Sequence, residues 1–183
     1  VDSASSILIL LPTKPYFDQV AAGLALYLSL KESKEVSIVC PSPMLVEFNR
    51  LVGVNKIASE AGNKNLTIKF TGYPAENVER VSADVESGKF FLTVIPKAGM
   101  TSPKKEEIEF SYSGVSADTI ILIGGGNESH FPILESKDAQ GVKIAHIGTR
   151  ALSVLPDKGV MSFARPAASV SEIITSLIKE SSL

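Results

Sequence analysis

The chain has 183 residues, one domain of good size or one domain with a small insertion, long enough to hide roughly 70% of its unfolded surface. Apolar residues at 44%, charged ones at 21% and a net charge of −2 are ordinary globular values. No overall field therefore draws the molecule to nucleic acid or anionic lipid, although a local basic patch stays allowed. Cys40 is the sole cysteine, which excludes an intramolecular disulfide and a thiolate metal cluster and makes a reducing, cytoplasmic location the expectation. No apolar run approaches the ~20 residues of a membrane span. The start, Val1-Asp-Ser-Ala-Ser-Ser, has neither an initiator Met nor a basic leader, as an excised domain would.

In chain order, Ile7 to Leu11 has the length and aliphatic character of a strand buried on both faces. The loop Pro12 to Phe17 carries two prolines that forbid helix until the second has passed. Asp18 then takes the N-cap place, with Ala21, Leu24, Ala25 and Leu28 at helical spacing behind it. Glu35 to Cys40 is a second buried strand. Ser42 and Pro43 make an N-cap and first position for a short helix through Leu51, ended by Gly53. The order β-α-β-α implies parallel strands and right-handed crossovers.

The register then changes. Leu66 to Thr71, Val78 to Val85, Lys89 to Ile95 and Ile108 to Tyr112 alternate or are strand-rich, with Glu86-Ser-Gly88 as a hairpin turn. Thr101 to Glu107 is a mixed-charge segment, a solvated turn or a single helical turn. The block from about 64 to 115 thus reads as an antiparallel β insertion. Asp118 to Ile123 returns to the buried-strand type and runs into Gly124-Gly-Gly-Asn127. Residues 128 to 138 are helix or loop. Val142 to Ile147 and Gly159 to Phe163 are further strands. Ser169 to Leu183 is the clearest helix, opened by the capping box Ser169-x-x-Glu172. The expected fold is α/β: a doubly wound, mostly parallel sheet with helices on both faces and the insertion at 64–115, in one domain over 1–183.

The loop after the first strand lies where parallel sheets usually bind ligands. Asp18 there could hold a metal, or Thr13, Lys14 and the helix start an anion; equally, Asp18 is an ordinary cap favoured by the helix dipole. Gly124, Gly125, Gly126 and Asn127 could let backbone approach a phosphate, without any Walker or dinucleotide spacing, or simply end a strand. His130 and His146 have no metal-ligand spacing. Arg150 and Arg165 follow strand ends, where they could meet an anion or solvent. No serine sits in a G-x-S-x-G elbow.

The order of pieces resembles the N-terminal domain of the DHH phosphoesterases, the group of oligoribonucleases, single-strand exonucleases and pyrophosphatases. The family's first motif, H-x-N-P-D-G-D-A-x-G-S-A-x-A-L, falls on Pro12-Thr-Lys-Pro-Tyr-Phe-Asp-Gln-Val-Ala-Ala-Gly-Leu-Ala-Leu26. Pro15, Asp18 and the small residues agree; the family's His falls on Pro12, its first Asp on Tyr16 and its Ser on Ala22. The second motif, a strand ending in Asp, ends here on Gly124. The third, I-D-H-H, falls near His146 to Thr149 and lacks its triplet. The fourth, A-S-S-T-x-E-I-I, is well matched by Ala168 to Ile174. The resemblance implies a dinuclear centre, typically Mn²⁺, that activates water and clamps a phosphate. It also implies a second, substrate-binding domain after the last helix, which this chain does not include.

Of the family's metal ligands only Asp18 survives, so the expectation is a domain without catalytic residues or cofactor, serving as a binding or assembly module. The alternatives are a phosphoryl-ligand domain, for nucleotide or short nucleic acid, using Lys14, Arg150 and backbone N–H groups, and a still active enzyme whose Mn²⁺ or Mg²⁺ ligands come from residues not aligned. A phosphate-containing small molecule or a protein partner, or a homo-oligomer, fits these readings.

Overall fold

The computed structural model describes residues 4–61, 65–113, 115–135, 139–154 and 159–181. Residues 136–138 of the 128–138 segment and 182–183 of the last helix lie outside the described residues. The chain divides into two compact units, Asn65–Tyr112 and the remainder.

The larger unit is built on a six-stranded sheet of β1 (Ser6–Leu10), β2 (Glu35–Val39), β3 (Ile57–Ala58), β8 (Thr119–Ile123), β9 (Lys143–Gly148) and β10 (Val160–Ala164). Its order is β10-β9-β8-β1-β2-β3, and every pairing is parallel. The chain runs outward from β1 through β2 to β3, then returns beside β1 as β8. The order therefore reverses between β1 and β8, whose carboxyl ends form a topological switch point.

Strand β1 is apolar on both faces because it is covered on both. Ile7, Ile9 and Leu11 enter one core cluster and Leu8 and Leu10 the other. The first cluster is covered by α1 (Phe17–Leu30) and α2 (Val170–Glu180), which also pack on each other. The second is covered by the 3-10 turns Glu128–His130 and Pro132–Glu135 with neighbouring loops, through Phe131, Leu134, Ala139 and Leu152. Helical cover is thus present on both faces, but both described α-helices lie on one.

Helix α1 buries Val20, Ala22, Gly23, Leu24, Leu26 and Leu30, whereas Ala21, Ala25 and Leu28 of the expected stripe are only half-buried. The stripe broadens because α1 contacts both the sheet and α2. A Cβ at Gly23 would stand 2.6 Å from Leu11 Cδ2, so the small opening of this helix is what lets it lie close on β1. The helix expected from Ser42 to Leu51 is confined to a 3-10 turn, Val46–Arg50. Phe48 is its buried anchor, its ring 6.1 Å from that of Phe17, while Leu45, Val46 and Val52 are exposed, so no helical apolar stripe is buried here.

In the smaller unit, β5 (Val78–Glu86) and β6 (Lys89–Pro96) form an antiparallel hairpin, and β4 (Asn65–Phe70) pairs with β7 (Ile108–Ser113). Glu86 pairs with Lys89 across a two-residue turn in which both Ser87 (φ 50°) and Gly88 (φ 75°) are left-handed. That geometry matches the twist of the flanking strands.

The opening of β1 is tied to β8 by Asp118. Its carboxylate accepts from Ser5 N at 2.9 Å, Ser5 Oγ at 2.9 Å and Ser6 N at 3.4 Å. The bonds from the Ser5 backbone and then its hydroxyl hold the carboxyl down to about 2, below its ordinary 3.8. The depressed value means that the folded state keeps the anion while the unfolded chain takes a proton. Stability from this contact is complete above pH 3.8 and falls as pH drops from there towards 2. Asp118→Asn should flatten that part of the acid limb in chemical-denaturation curves recorded between pH 2 and 5.

Candidate functional site

The carboxyl ends of β1 and β8 open into a cleft of ≈ 580 Å³. Its walls are the loop from Pro12 to Tyr16 with the first turn of α1, the glycine loop after β8 with His130, Thr149 and Arg150 after β9, and the residues at the start of α2. Of the candidates in the sequence, Thr13, Lys14, Asp18, Gly124, Gly125, Gly126 and Arg150 all line it. Asn127 does not; its Oδ1 accepts from Ser129 Oγ at 2.6 Å, and its backbone bridges to Ser153. Tyr16, Gln19, His130, Thr149, Ala168, Ser169 and Val170 join the lining.

The loop after β1 is held from both sides. Thr13 N donates to His130 O at 2.9 Å, and Lys14 N to Ser42 Oγ at 3.0 Å. Lys14 itself is left-handed, at φ 50°, a conformation that non-glycine residues adopt rarely. Cys40 ends β2 beneath this loop, its Sγ 3.6 Å from Pro12 O. Burial pushes its thiol up, against a smaller lowering by the Ser42 backbone, so it is a neutral core group with no part in the cleft's chemistry.

Helix α1 starts differently from the expectation. Tyr16 is the N-cap residue, and its N–H donates to Gln19 Oε1 at 2.9 Å. Asp18 lies inside the first turn, and its carboxylate is spent across the cleft. Oδ2 accepts from Val170 N at 2.8 Å, and Oδ1 from Ser171 N at 3.2 Å and from Ser171 Oγ. Ser169 Oγ accepts from Glu172 N at 3.2 Å, while the Glu172 carboxylate takes Ala168 N at 3.1 Å rather than Ser169 N. The first three N–H groups of α2 are thereby all satisfied.

The glycine loop is rigid for steric reasons. Gly124 and Gly125 have φ +65° and +80°, and a Cβ on them would stand 2.5 Å from Gln19 Nε2 and 2.6 Å from Phe131 Cε2. Gly124 N donates to Ile147 O at 2.8 Å and Gly126 N to His130 Nδ1 at 3.0 Å. Among the described residues, the Gly125 N–H is the loop's free donor.

His146 is fully buried in β9, outside the cleft. Its Nε2 bonds Gly124 O at 2.8 Å and its Nδ1 bonds Ser162 Oγ at 2.8 Å, which in turn accepts from Leu152 N at 3.2 Å. Desolvation lowers its pKa, opposed by the bond to Gly124. The ring is neutral and props up the glycine loop from behind. Arg165 extends past β10, its N–H on Gly148 O at 3.3 Å, and does not line the cleft. Glu128 Oε2 is buried without a hydrogen-bond partner among the described residues, also outside the cleft lining.

Asp18 has both oxygens hydrogen-bonded to the start of α2, and His130 has its Nδ1 bonded to Gly126 N. Among the described residues, no group of three or more His, Cys, Asp or Glu side chains could hold a metal ion. The cleft offers instead two cationic side chains, a backbone donor and the exposed ring of Tyr16, 78% accessible. No described helix is long and apolar enough to cross a membrane.

Comparison with known proteins gives a fold. No family model matches the chain, and no curated protein matches it significantly. Among solved structures it is similar to an exopolyphosphatase-related protein from Bacteroides fragilis, with a TM-score of 0.58 and 16% identity. The likeness is one of fold. The match covers 98% of this chain, both units included, but only 40% of that protein's chain.

The residues that sequence reading missed have a common cause. Gln19 carries no signal of its own, and His130, Thr149 and Ser169 carry signals of other kinds, an isolated histidine, an incomplete third motif and a helix cap; only the strand order brings them to one edge. Tyr16 had a signal, since it stands where the phosphoesterase motif has an Asp.

Proposed function

We propose that this chain is a phosphoesterase-like domain without the dinuclear metal site of the DHH enzymes, and that it binds a phosphoryl ligand in the switch-point cleft without cleaving it. One observation carries the reading. Lys14 and Arg150 line the same cleft, while Asp18, the one carboxylate among the described residues that line it, has both oxygens hydrogen-bonded to α2. A cleft with two cations and a carboxylate already hydrogen-bonded to α2 favours an anion, and guanidinium and ammonium groups suit phosphate oxygens. The description of the structural neighbour as exopolyphosphatase-related points to the same ligand chemistry. Hydrolysis at a metal-bound water needs several carboxylate or imidazole ligands, and Asp18 and His130, the cleft's two residues of those types, are engaged elsewhere.

Calorimetric titration with pyrophosphate and with AMP tests the binding half. Lys14→Ala and Arg150→Ala should each weaken binding by about tenfold or more, as expected when one charge-assisted hydrogen bond is lost. Unchanged affinity in both variants would remove the cleft as the binding site. For the other half, bis-(p-nitrophenyl) phosphate incubated with protein and Mn²⁺ should release no p-nitrophenol above background. Turnover that depends on Mn²⁺ would make the chain an enzyme.

A further inference from the structure

Asp18 is the one residue that the phosphoesterase resemblance makes a metal ligand, and its bonds in this chain serve another purpose. The carboxylate belongs to the first turn of α1, yet its three donors are Val170 N, Ser171 N and Ser171 Oγ. Its partners are 152 and 153 residues away in sequence. Ser169 Oγ already takes the N–H of Glu172, so no side chain of α2's own first turn is shown replacing Asp18 on the other two. Moving both carboxylate oxygens onto a cation would strand two N–H donors at the start of a helix whose Val170 and Ile174 are buried in the core.

We infer that Asp18 is a positioning residue rather than a metal ligand. Its carboxylate fastens the start of α2 to the start of α1 and so holds Ala168, Ser169 and Val170 as one wall of the cleft. The inference rests on the reading of this chain as a phosphoesterase-like domain without metals, and it gives the retained aspartate of that domain a purpose. The same bonds account for why the carboxylate can sit at a cleft lined by Lys14 and Arg150 without ion-pairing to either. Its charge is met by the N–H groups and dipole of α2.

Two measurements on the full chain decide it: Mn²⁺ alone, titrated by calorimetry and electron paramagnetic resonance, and thermal melting. Asp18→Asn keeps the shape but turns an amide N–H₂ towards backbone donors. It should lower the melting temperature by about 3 °C or more while changing Mn²⁺ affinity less than twofold. Wild-type protein binding Mn²⁺ at least tenfold more tightly than Asp18→Asn would overturn the inference, as would a melting temperature unchanged within 1 °C.

Ser171→Ala keeps the question open to measurement if Asp18→Asn fails to fold. It removes one donor and leaves both oxygens in place. It should melt lower with no gain in Mn²⁺ affinity; a gain of tenfold would mean that the carboxylate is a ligand in waiting. In the double variant Asp18→Ala/Ser171→Ala, the loss should fall short of the sum of the two single losses, because the residues share a contact, although Ser171 Oγ also lies 3.2 Å from Ser169 Oγ. Additive losses would refute the fastening. Failure of the wild type to bind pyrophosphate would remove the ligand proposed above and leave these results standing.

Discussion

Gly125→Ala should destabilise the protein by about 2–5 kcal/mol, a large loss for a single methyl group. Two separate costs add. A left-handed φ of +80° costs a non-glycine residue about 1–2 kcal/mol. The new Cβ would also stand 2.6 Å from Phe131 Cε2 and 2.9 Å from Cζ. Phe131 is fully buried in the second core cluster, so its ring cannot turn aside without disturbing Leu134 or Leu152, and overpacking of this kind costs about 1–3 kcal/mol. Scanning calorimetry should register a fall of about 4–20 °C. Gly141→Ala is the control: φ is +77° and nothing lies within 4 Å of its Cβ, so it carries the conformational cost alone. Equal losses at the two positions would show that the contact with Phe131 does not constrain the loop.

His146→Leu should cost about 2–4 kcal/mol and also change the pH dependence of stability. Leucine fills much of the ring's volume but leaves Gly124 O without its donor, and Ser162 Oγ keeps only Leu152 N. Each stranded buried polar group costs about 1–3 kcal/mol. Desolvation holds the His146 pKa below the ordinary 6.5 in the folded state. As pH falls below 6.5 the unfolded chain takes up a proton that the folded chain refuses, so stability declines until the lowered folded value is passed. Wild-type stability, followed by urea unfolding, should therefore rise from pH 5 to about 7 and then level. In His146→Leu the same interval should be flatter. A wild-type curve without that slope would contradict the neutral, buried ring. Because His146 supports Gly124 from behind, the variant should also weaken pyrophosphate binding, without touching the cleft itself.

Much of the architecture is written locally. Ile7 to Leu11 is aliphatic at every position because the strand is covered on both faces. Glu86 to Lys89 makes its turn because serine and glycine accept φ > 0, and Ser169 caps α2 through Glu172 N as the S-x-x-E spacing requires. These signals act over about four residues, which is the range of one helical turn or one hairpin. They place strands and helices along the chain and, with the rule that crossovers are right-handed, suggest a parallel sheet.

What Asp18 does was beyond that range. As a helix start it had a local reading, which the fold overturns, and as a motif residue a chemical one. The α1 cap belongs to Tyr16, and the Asp18 carboxylate reaches a helix 152 positions later because β1 and β8 are neighbours in the sheet. The same adjacency sets Gln19 under Gly124 and His130 between the two loops. Residue type and spacing decided that this chain would alternate buried strands with helices in a mostly parallel sheet. Tertiary structure alone decided which side chains would meet at the switch point, because the strand order joins segments more than a hundred residues apart.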